Sequence, residues 1–388
     1  MTRDLMPHWQ DKSVEDVLTL CRDVVEDTSF PTVARWRADG GRVLGHFQVY
    51  FPEEIAHAAG MLPFKVRGAP VEPTQADSHF GSYLCSILKT SLELVLSGRV
   101  ELDIFVTHPI CDAARNLAGI CGRNVSYPCQ ILYLPQNPNS AHSAVYLRDE
   151  YDRVRRTVSA LTGRTIPEEA LRVSIGVYNE NRALLRQLYA MKRDTPWLVP
   201  VDDAWVLTAL GGLIRREEHN ALLSWLLPRL PERDLRAHDK IRVVYEGGFC
   251  EQPPLDLLRA IARSCYVVDD DLLIGLRWLL DDVPTVGDPL RALADAYIHH
   301  SAHSPVQHDL RKPKDKMLLE RIAGSGAKAA IVTSAKMCEP GLEEQVVYTR
   351  TLDAAGIPYF VSEFEENMSS FEHLEVQLET FVENLLYE

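Results

Sequence analysis

No apolar run in these 388 residues approaches the roughly 18 needed to cross a bilayer, and stretches such as Leu94-Val-Leu96 are far shorter. No membrane span is expected. A basic excess is also missing: 41 Lys and Arg face 55 Asp and Glu, a net charge of −14, which argues against a protein built to neutralise a nucleic-acid backbone. No nucleic-acid partner is expected either. Met1-Thr-Arg-Asp-Leu-Met-Pro-His places charge where a signal peptide carries its apolar segment, so the expected location is the cytoplasm. The common signature loops are absent: there is no GxGxxG after a strand, no GxxxxGK[ST], no HExxH and no GxSxG. Nor is there a CxxC, which removes the zinc ribbon and the ferredoxin-type run.

What is present is ordinary in bulk, with 46% apolar and 25% charged residues, and long enough for two or three domains. Elements of two kinds alternate along it. Helical spacing of Val14, Val17, Leu18, Cys21 and Val24 predicts a leading helix, followed by polar and Gly-rich sequence to Gly41. Strands are predicted at 43–50, 62–66, 102–107 and 129–134, with helices at 52–59, 82–96, 112–121 and 143–161. From 168 to 233 no strand is read, and Ile175, Tyr178, Leu184, Leu185 and Leu188 recur at helical spacing. Strands return at 241–245, 265–268, 327–333 and 357–361, with helices at 255–263, 342–354 and 369–386. This predicts an α/β protein with two doubly wound parallel-sheet domains. The expected units are a helical N-terminal segment (1–40), a first α/β domain (41–165), a helical connector (166–236) and a second α/β domain (237–388). Ligands of such sheets lie in the crevice beyond the carboxyl ends of the strands.

Eight cysteines stand at 21, 85, 111, 121, 129, 250, 265 and 338, and a metal site would have to be assembled from distant segments. Cys21, Cys121 and Cys265 have apolar neighbours at structural spacing and read as core thiols, and Cys129, heading a strand, leans the same way. Three others are differently placed. Cys111 follows a strand in Thr107-His-Pro-Ile-Cys-Asp, Cys338 follows another in Ala335-Lys-Met-Cys-Glu-Pro, and Cys85 opens a helix in Ser82-Tyr-Leu-Cys. For Cys111 and Cys338 the pattern leaves ligand and buried thiol open.

These segments resemble the three cysteine segments of the 2-hydroxyacyl-CoA dehydratase and benzoyl-CoA reductase superfamily. The resemblance runs over nearly the whole chain, through Tyr50-Phe-Pro-Glu-Glu-Ile, Gly60-Met-Leu-Pro-Phe-Lys-Val-Arg-Gly-Ala, Gly247-Gly-Phe-Cys-Glu-Gln-Pro-Pro254 and Val267-Val-Asp-Asp-Asp-Leu-Leu-Ile-Gly-Leu-Arg-Trp278. The last two are similar to the benzoyl-CoA reductase branch, and within it to the smaller of the two substrate-site subunits of the ATP-dependent enzyme. The resemblance implies one [4Fe-4S] cluster held by Cys85, Cys111 and Cys338, with one iron lacking a protein cysteine. It implies reduction of benzoyl-CoA to a cyclohexadienoyl-CoA by two electrons and two protons. It also implies a homologous sister subunit sharing the site, separate ATP-binding Fe–S subunits supplying electrons, and ferredoxin upstream. The nearest alternative is a 2-hydroxyacyl-CoA dehydratase subunit, which uses the same cysteines for radical elimination of water.

Acid candidates are Glu251, His108 and Asp271. Each has a plainer reading: Glu251 as a helix-start carboxylate, His108 as a loop histidine bonded to backbone, and Asp269-Asp-Asp271 as a cap for a helix near Leu272. Lys65 and Arg67 are candidate contacts for coenzyme A phosphates, or else solvated surface charge. Arg311-Lys-Pro-Lys-Asp-Lys316 would dock a phosphate or partner, or simply mark an exposed face. Two plainer readings of the whole chain are a non-catalytic scaffold and a zinc site built from the same thiols.

Overall fold

The computed structural model describes residues 4–47, 51–247, 253–272, 280–302, 309–365, 368 and 370–387. Two four-stranded parallel sheets organise it. The first contains β1 (Val43–Phe47), β2 (Leu62–Val66), β3 (Ile104–Thr107) and β4 (Cys129–Ile131) in the order β2-β1-β3-β4. The second contains β5 (Ile241–Glu246), β6 (Cys265–Asp270), β7 (Ala329–Ala335) and β8 (Tyr359–Phe364) in the order β6-β5-β7-β8. Three of the four inner strands, β1, β3 and β7, are buried along their whole length. That is why Ala329-Ala-Ile-Val-Thr reads as continuous apolar sequence without alternation.

The two sheets share one topology. In each, the chain starts on an inner strand, crosses to one edge, then returns to the other side, so the strand order reverses between β1 and β3 and again between β5 and β7. A crevice opens at such a reversal, at the carboxyl ends of the strands. Register fixes it: Leu44 faces Ile104 in the first sheet and Val243 faces Ala329 in the second.

Between the sheets run α6 (Ser143–Thr162), α7 (Glu168–Asp194), α8 (Val201–Leu210) and α9 (Arg216–Leu226). At 27 residues α7 is about 40 Å long, enough to reach both sheets. It packs on α3 (Glu53–Ala58) beside the first sheet and on β6 of the second. Buried ion pairs pin its middle and its C-terminal end: Arg182 to Glu54 of α3, and Lys192 to Asp270 of β6. Among the described residues no helix is long and apolar enough to cross a membrane.

Several elements depart from the sequence expectation. A helix α2 (Pro31–Ala38) lies in the stretch read as polar and irregular, following α1 (Val14–Glu26). The helix α4 is confined to Ser86–Leu96, with Ser82 to Leu84 outside it. Two helices have no counterpart in the sequence reading, α11 (Pro289–His300) and α12 (Lys314–Ser325). Asp269 and Asp270 belong to β6 itself, so two of the three acids are strand residues and only Asp271 follows the strand. The remaining helices are α5 (Asp112–Asn124), α10 (Leu255–Ser264), α13 (Glu339–Ala355) and α14 (Glu372–Tyr387).

Candidate functional site

Each of the three singled-out cysteines is the N-cap of a helix: Cys85 of α4, Cys111 of α5 and Cys338 of α13. The free backbone N–H groups and positive dipole end of a helix favour negative charge at this position. The Cys111 sulfur accepts from the Ala114 N–H at 3.4 Å. Burial nevertheless pushes the Cys111 thiol upward, the Ala114 N–H draws it back down, and the charge of Cys338 raises it again. Cys111 and Cys338 are thus electrostatic neighbours although they belong to different sheets. Cys85 and Cys111 are half-buried, and Cys338 is 6% exposed. α4, which Cys85 begins, packs on α5, which Cys111 begins.

The backbone before Cys338 is forced. Met337 sits in the left-handed region at φ 60°, and the Cys338 N–H closes a turn onto the Ala335 carbonyl at 3.0 Å. Such a conformation in a non-glycine residue costs about 1–3 kcal/mol and persists where the surroundings fix it. Met337 is half exposed, and Tyr83, two residues before Cys85, is 73% exposed. Two of the three cysteines therefore have a large apolar side chain turned outward beside them.

The donor set suits an iron–sulfur cluster: three partly shielded thiols, two of them in loops that follow strands, each at a helix N-terminus where thiolate charge is favoured. Among the described residues no three His, Cys, Asp or Glu side chains form the tight shell of a single metal ion. A cubane distributes its cysteines over separate irons, which is a wider arrangement than the tetrahedral shell of zinc.

His108 is fully buried where β3 ends. Burial lowers its conjugate acid to about 3, the nearby His46 adds to this, and a backbone interaction at Leu132 opposes it weakly. It is a neutral imidazole at physiological pH. Asp271 is buried at the end of β6, accepts from the Gly247 N–H at 3.0 Å, and shares a small enclosed space with Ser334, Glu344 and Tyr348. Gly247 has φ +108°, and a Cβ there would fall on the Thr333 carbonyl oxygen, so only glycine fits where β5 meets β7. Glu251 and Cys250 lie outside the described residues.

Lys65 and Arg67 face different spaces. Lys65 lines a polar chamber with Glu53, Glu54, Arg182 and Arg216, and its backbone N–H donates to the Gly212 carbonyl at 3.1 Å. Arg67 lines an apolar cleft with Phe30, Trp205, Leu255 and Phe371, stacks 4.8 Å from the Trp205 ring centre, and donates to the Val25 carbonyl at 2.9 Å. Neither is a purely solvated charge. Three cations of the Arg311 to Lys316 cluster are committed within the fold, Arg311 donating to the Pro138 carbonyl, Lys312 to Ser301 and Lys314 pairing with Glu344, while Lys316 is exposed.

The polar chamber has no counterpart among the sequence candidates apart from Lys65. Glu53 accepts from Tyr178 at 3.0 Å, contacts His46 at 3.1 Å and pairs with Arg216, whose guanidinium lies 4.5 Å from the Tyr178 ring centre. Burial works against the Glu53 carboxylate, but Arg216 and His46 together hold it well below the usual range. The adjacent acids in Pro52-Glu-Glu-Ile, themselves buried in the first turn of the helix they open, are the signal that could have pointed to it.

Residues 48–385 match the family model described as 2-hydroxyglutaryl-CoA dehydratase, D-component, and the chain belongs to this family. It is 34% identical over 385 residues to a subunit of the benzoyl-CoA reductase of Thauera aromatica, covering 96% of this chain and 99% of that protein. It is 28% identical over 377 residues to lactoyl-CoA dehydratase subunit beta of Anaerotignum propionicum, covering 96% and 99%. Against (R)-2-hydroxyglutaryl-CoA dehydratase subunit beta of Acidaminococcus fermentans the identity is 25% over 362 residues, covering 91% and 95%. These relatives are enzyme subunits.

Proposed function

We propose that the chain is the Fe–S subunit of an ATP-dependent benzoyl-CoA reductase and forms part of the site where the aromatic ring is reduced. The observation that carries this reading is the placement of Cys85, Cys111 and Cys338 at three helix N-termini, with Cys111 and Cys338 after corresponding strands of two like sheets. The 34% identity to a benzoyl-CoA reductase subunit favours the reductase branch. These three thiolates would hold a [4Fe-4S] cluster that leaves one iron without a protein cysteine. Such a cluster supplies low-potential single electrons when bound.

The chain's own residues would do the rest. His108, neutral because it is buried, is suited to donate a hydrogen bond to the thioester carbonyl as charge develops there, a task an imidazole performs without becoming an acid. Asp271 and Glu251 are the proposed proton donors. Asp271 lies beside Glu344 and Tyr348, so a proton taken from it has neighbours to replace it. Lys65 and Arg67 would meet different parts of the coenzyme: a phosphate at the polar chamber, and the apolar arm at the Trp205 cleft. The exposed Tyr83 and Met337 are suited to cover by a homologous sister subunit. Separate ATP-binding Fe–S subunits, fed by ferredoxin, would deliver the electrons inside the cytoplasm.

A dehydratase reading is favoured by the family model and by the beta-subunit relatives. Electron stoichiometry separates the two. The anaerobic complex with its ATPase should consume two electrons for each benzoyl-CoA reduced. Many acyl-CoA molecules turned over per electron, with loss of water, would replace the reductase reading by the dehydratase one.

A further inference from the structure

Two cysteines outside the site face one another. Cys121 lies near the end of α5 and Cys129 begins β4, and the helix packs directly on the strand. The approach is close: a Cβ at Gly122 would lie 3.8 Å from the Cys129 Cβ. Interaction between the two side chains, with burial, raises the Cys121 thiol, and the same interaction lowers Cys129 against its own burial. Cys121 therefore keeps its proton, and Cys129 is the more easily ionised sulfur. Cys121 is fully buried, whereas Cys129 is half-buried at the sheet edge. Tyr127 completes the pocket, its carbonyl accepting from the Cys129 thiol at 3.9 Å.

This asymmetry of exposure, one half-buried sulfur at the sheet edge and one buried thiol behind it, is that of an attacking and a resolving cysteine. We propose that Cys121 and Cys129 form a redox-active dithiol that closes to an intramolecular disulfide on meeting a low-molecular-weight disulfide. The Cys129 thiolate attacks one sulfur of the disulfide, whose S–S bond breaks, and the departing thiolate takes up a proton. Cys121 then gives up its proton and attacks the Cys129 sulfur of the mixed disulfide, expelling the second thiol. Two protein thiols lose two electrons and two protons, and one small disulfide becomes two thiols. The closed bond would tie β4 to the helix that starts at Cys111. The proposal does not depend on which acyl-CoA reaction the chain serves.

The test treats the full chain, anaerobically, with glutathione disulfide, blocks free thiols under denaturing conditions, and maps tryptic peptides. Cleavage at Arg123 separates Asn116–Arg123, carrying Cys121, from Asn124–Arg148, carrying Cys129. The expected product joins these two peptides. In Cys121→Ser, Cys129 should instead accumulate as the glutathione adduct. If in the unaltered chain both cysteines stay free, or Cys129 halts at the adduct, the proposal is overturned. The natural chain alone decides the outcome, so a variant that folds poorly does not obscure it.

Discussion

Cys111 and Cys338 occupy the same place in two like sheets: each ends the loop after the inner strand on the second side of the strand-order reversal, and each caps the helix that follows. The charge of Cys338 contributes to raising the Cys111 thiol. In the proposed reading each of the two sheets supplies one of these thiols to a shared cluster.

The buried pair Lys192–Asp270 anchors the long connector helix to the second sheet, with both side chains sealed from solvent. Asp270 also accepts from Tyr189 at 3.1 Å and from the Leu272 N–H at 3.1 Å. Lys192→Met leaves a buried carboxylate without its cation and should cost about 3–5 kcal/mol in urea unfolding. Breaking the exposed Arg291–Asp295 pair by Arg291→Ala should cost under about 1 kcal/mol. Equal losses would show that the buried pair does not anchor the helix.

Gly247→Ala places a methyl group against the Thr333 carbonyl in a backbone region that only glycine adopts freely. A loss of at least about 1–3 kcal/mol is expected, read as a lowered melting temperature. An unchanged melting temperature would mean that β5 and β7 separate at their carboxyl ends more readily than their packing implies.

His219 is buried between Asn181 and the Leu207 carbonyl, and burial lowers its conjugate acid to about 3 from 6.5, with Arg216 adding to the effect. The unfolded chain protonates first as pH falls. The stability tied to keeping this ring neutral is therefore fully present above pH 6.5 and is lost as pH drops towards 3. His108 acts in the same direction. Each contributes a slope of about 1.4 kcal/mol per pH unit inside that window. His219→Gln should reduce the proton uptake on unfolding at pH 5 by about one proton. Urea midpoints measured from pH 7 to 5 for both proteins check this, and parallel curves would refute it.

The parallel strands were legible because sheets covered on both faces demand continuous apolar runs, as at Ala329 to Val332. The helices absent from the sequence reading had local signals of another kind. α11 begins with Asp288 as its cap, whose carboxylate accepts from Leu290 N–H, and with Pro289 in its first turn, a start that reads as a loop if the prolines are taken alone. α2 buries only Thr32 and Val33, too little to impose a helical period. The polar chamber escaped because Glu53 and Arg216 are 163 residues apart, and only folding reveals that each neutralises the other. The same holds for Arg67, whose partners Val25 and Trp205 come from the N-terminal helix and the connector. The cysteine segments were legible through family resemblance, whereas spacing alone left ligand and core thiol undivided.

The most direct measurement is iron content and absorption of the anaerobically purified chain with its partner subunits, for the natural sequence and for Cys111→Ser, Cys338→Ser and Cys265→Ser. Cys265 is buried in the core, where burial pushes its thiol up to about 12, and it serves as the control. The account predicts about four irons attributable to this chain, with a brown charge-transfer band, in the natural and Cys265→Ser proteins, and loss of both in the other two. Iron and colour unaffected by Cys111→Ser and Cys338→Ser, in protein that remains folded, would contradict it.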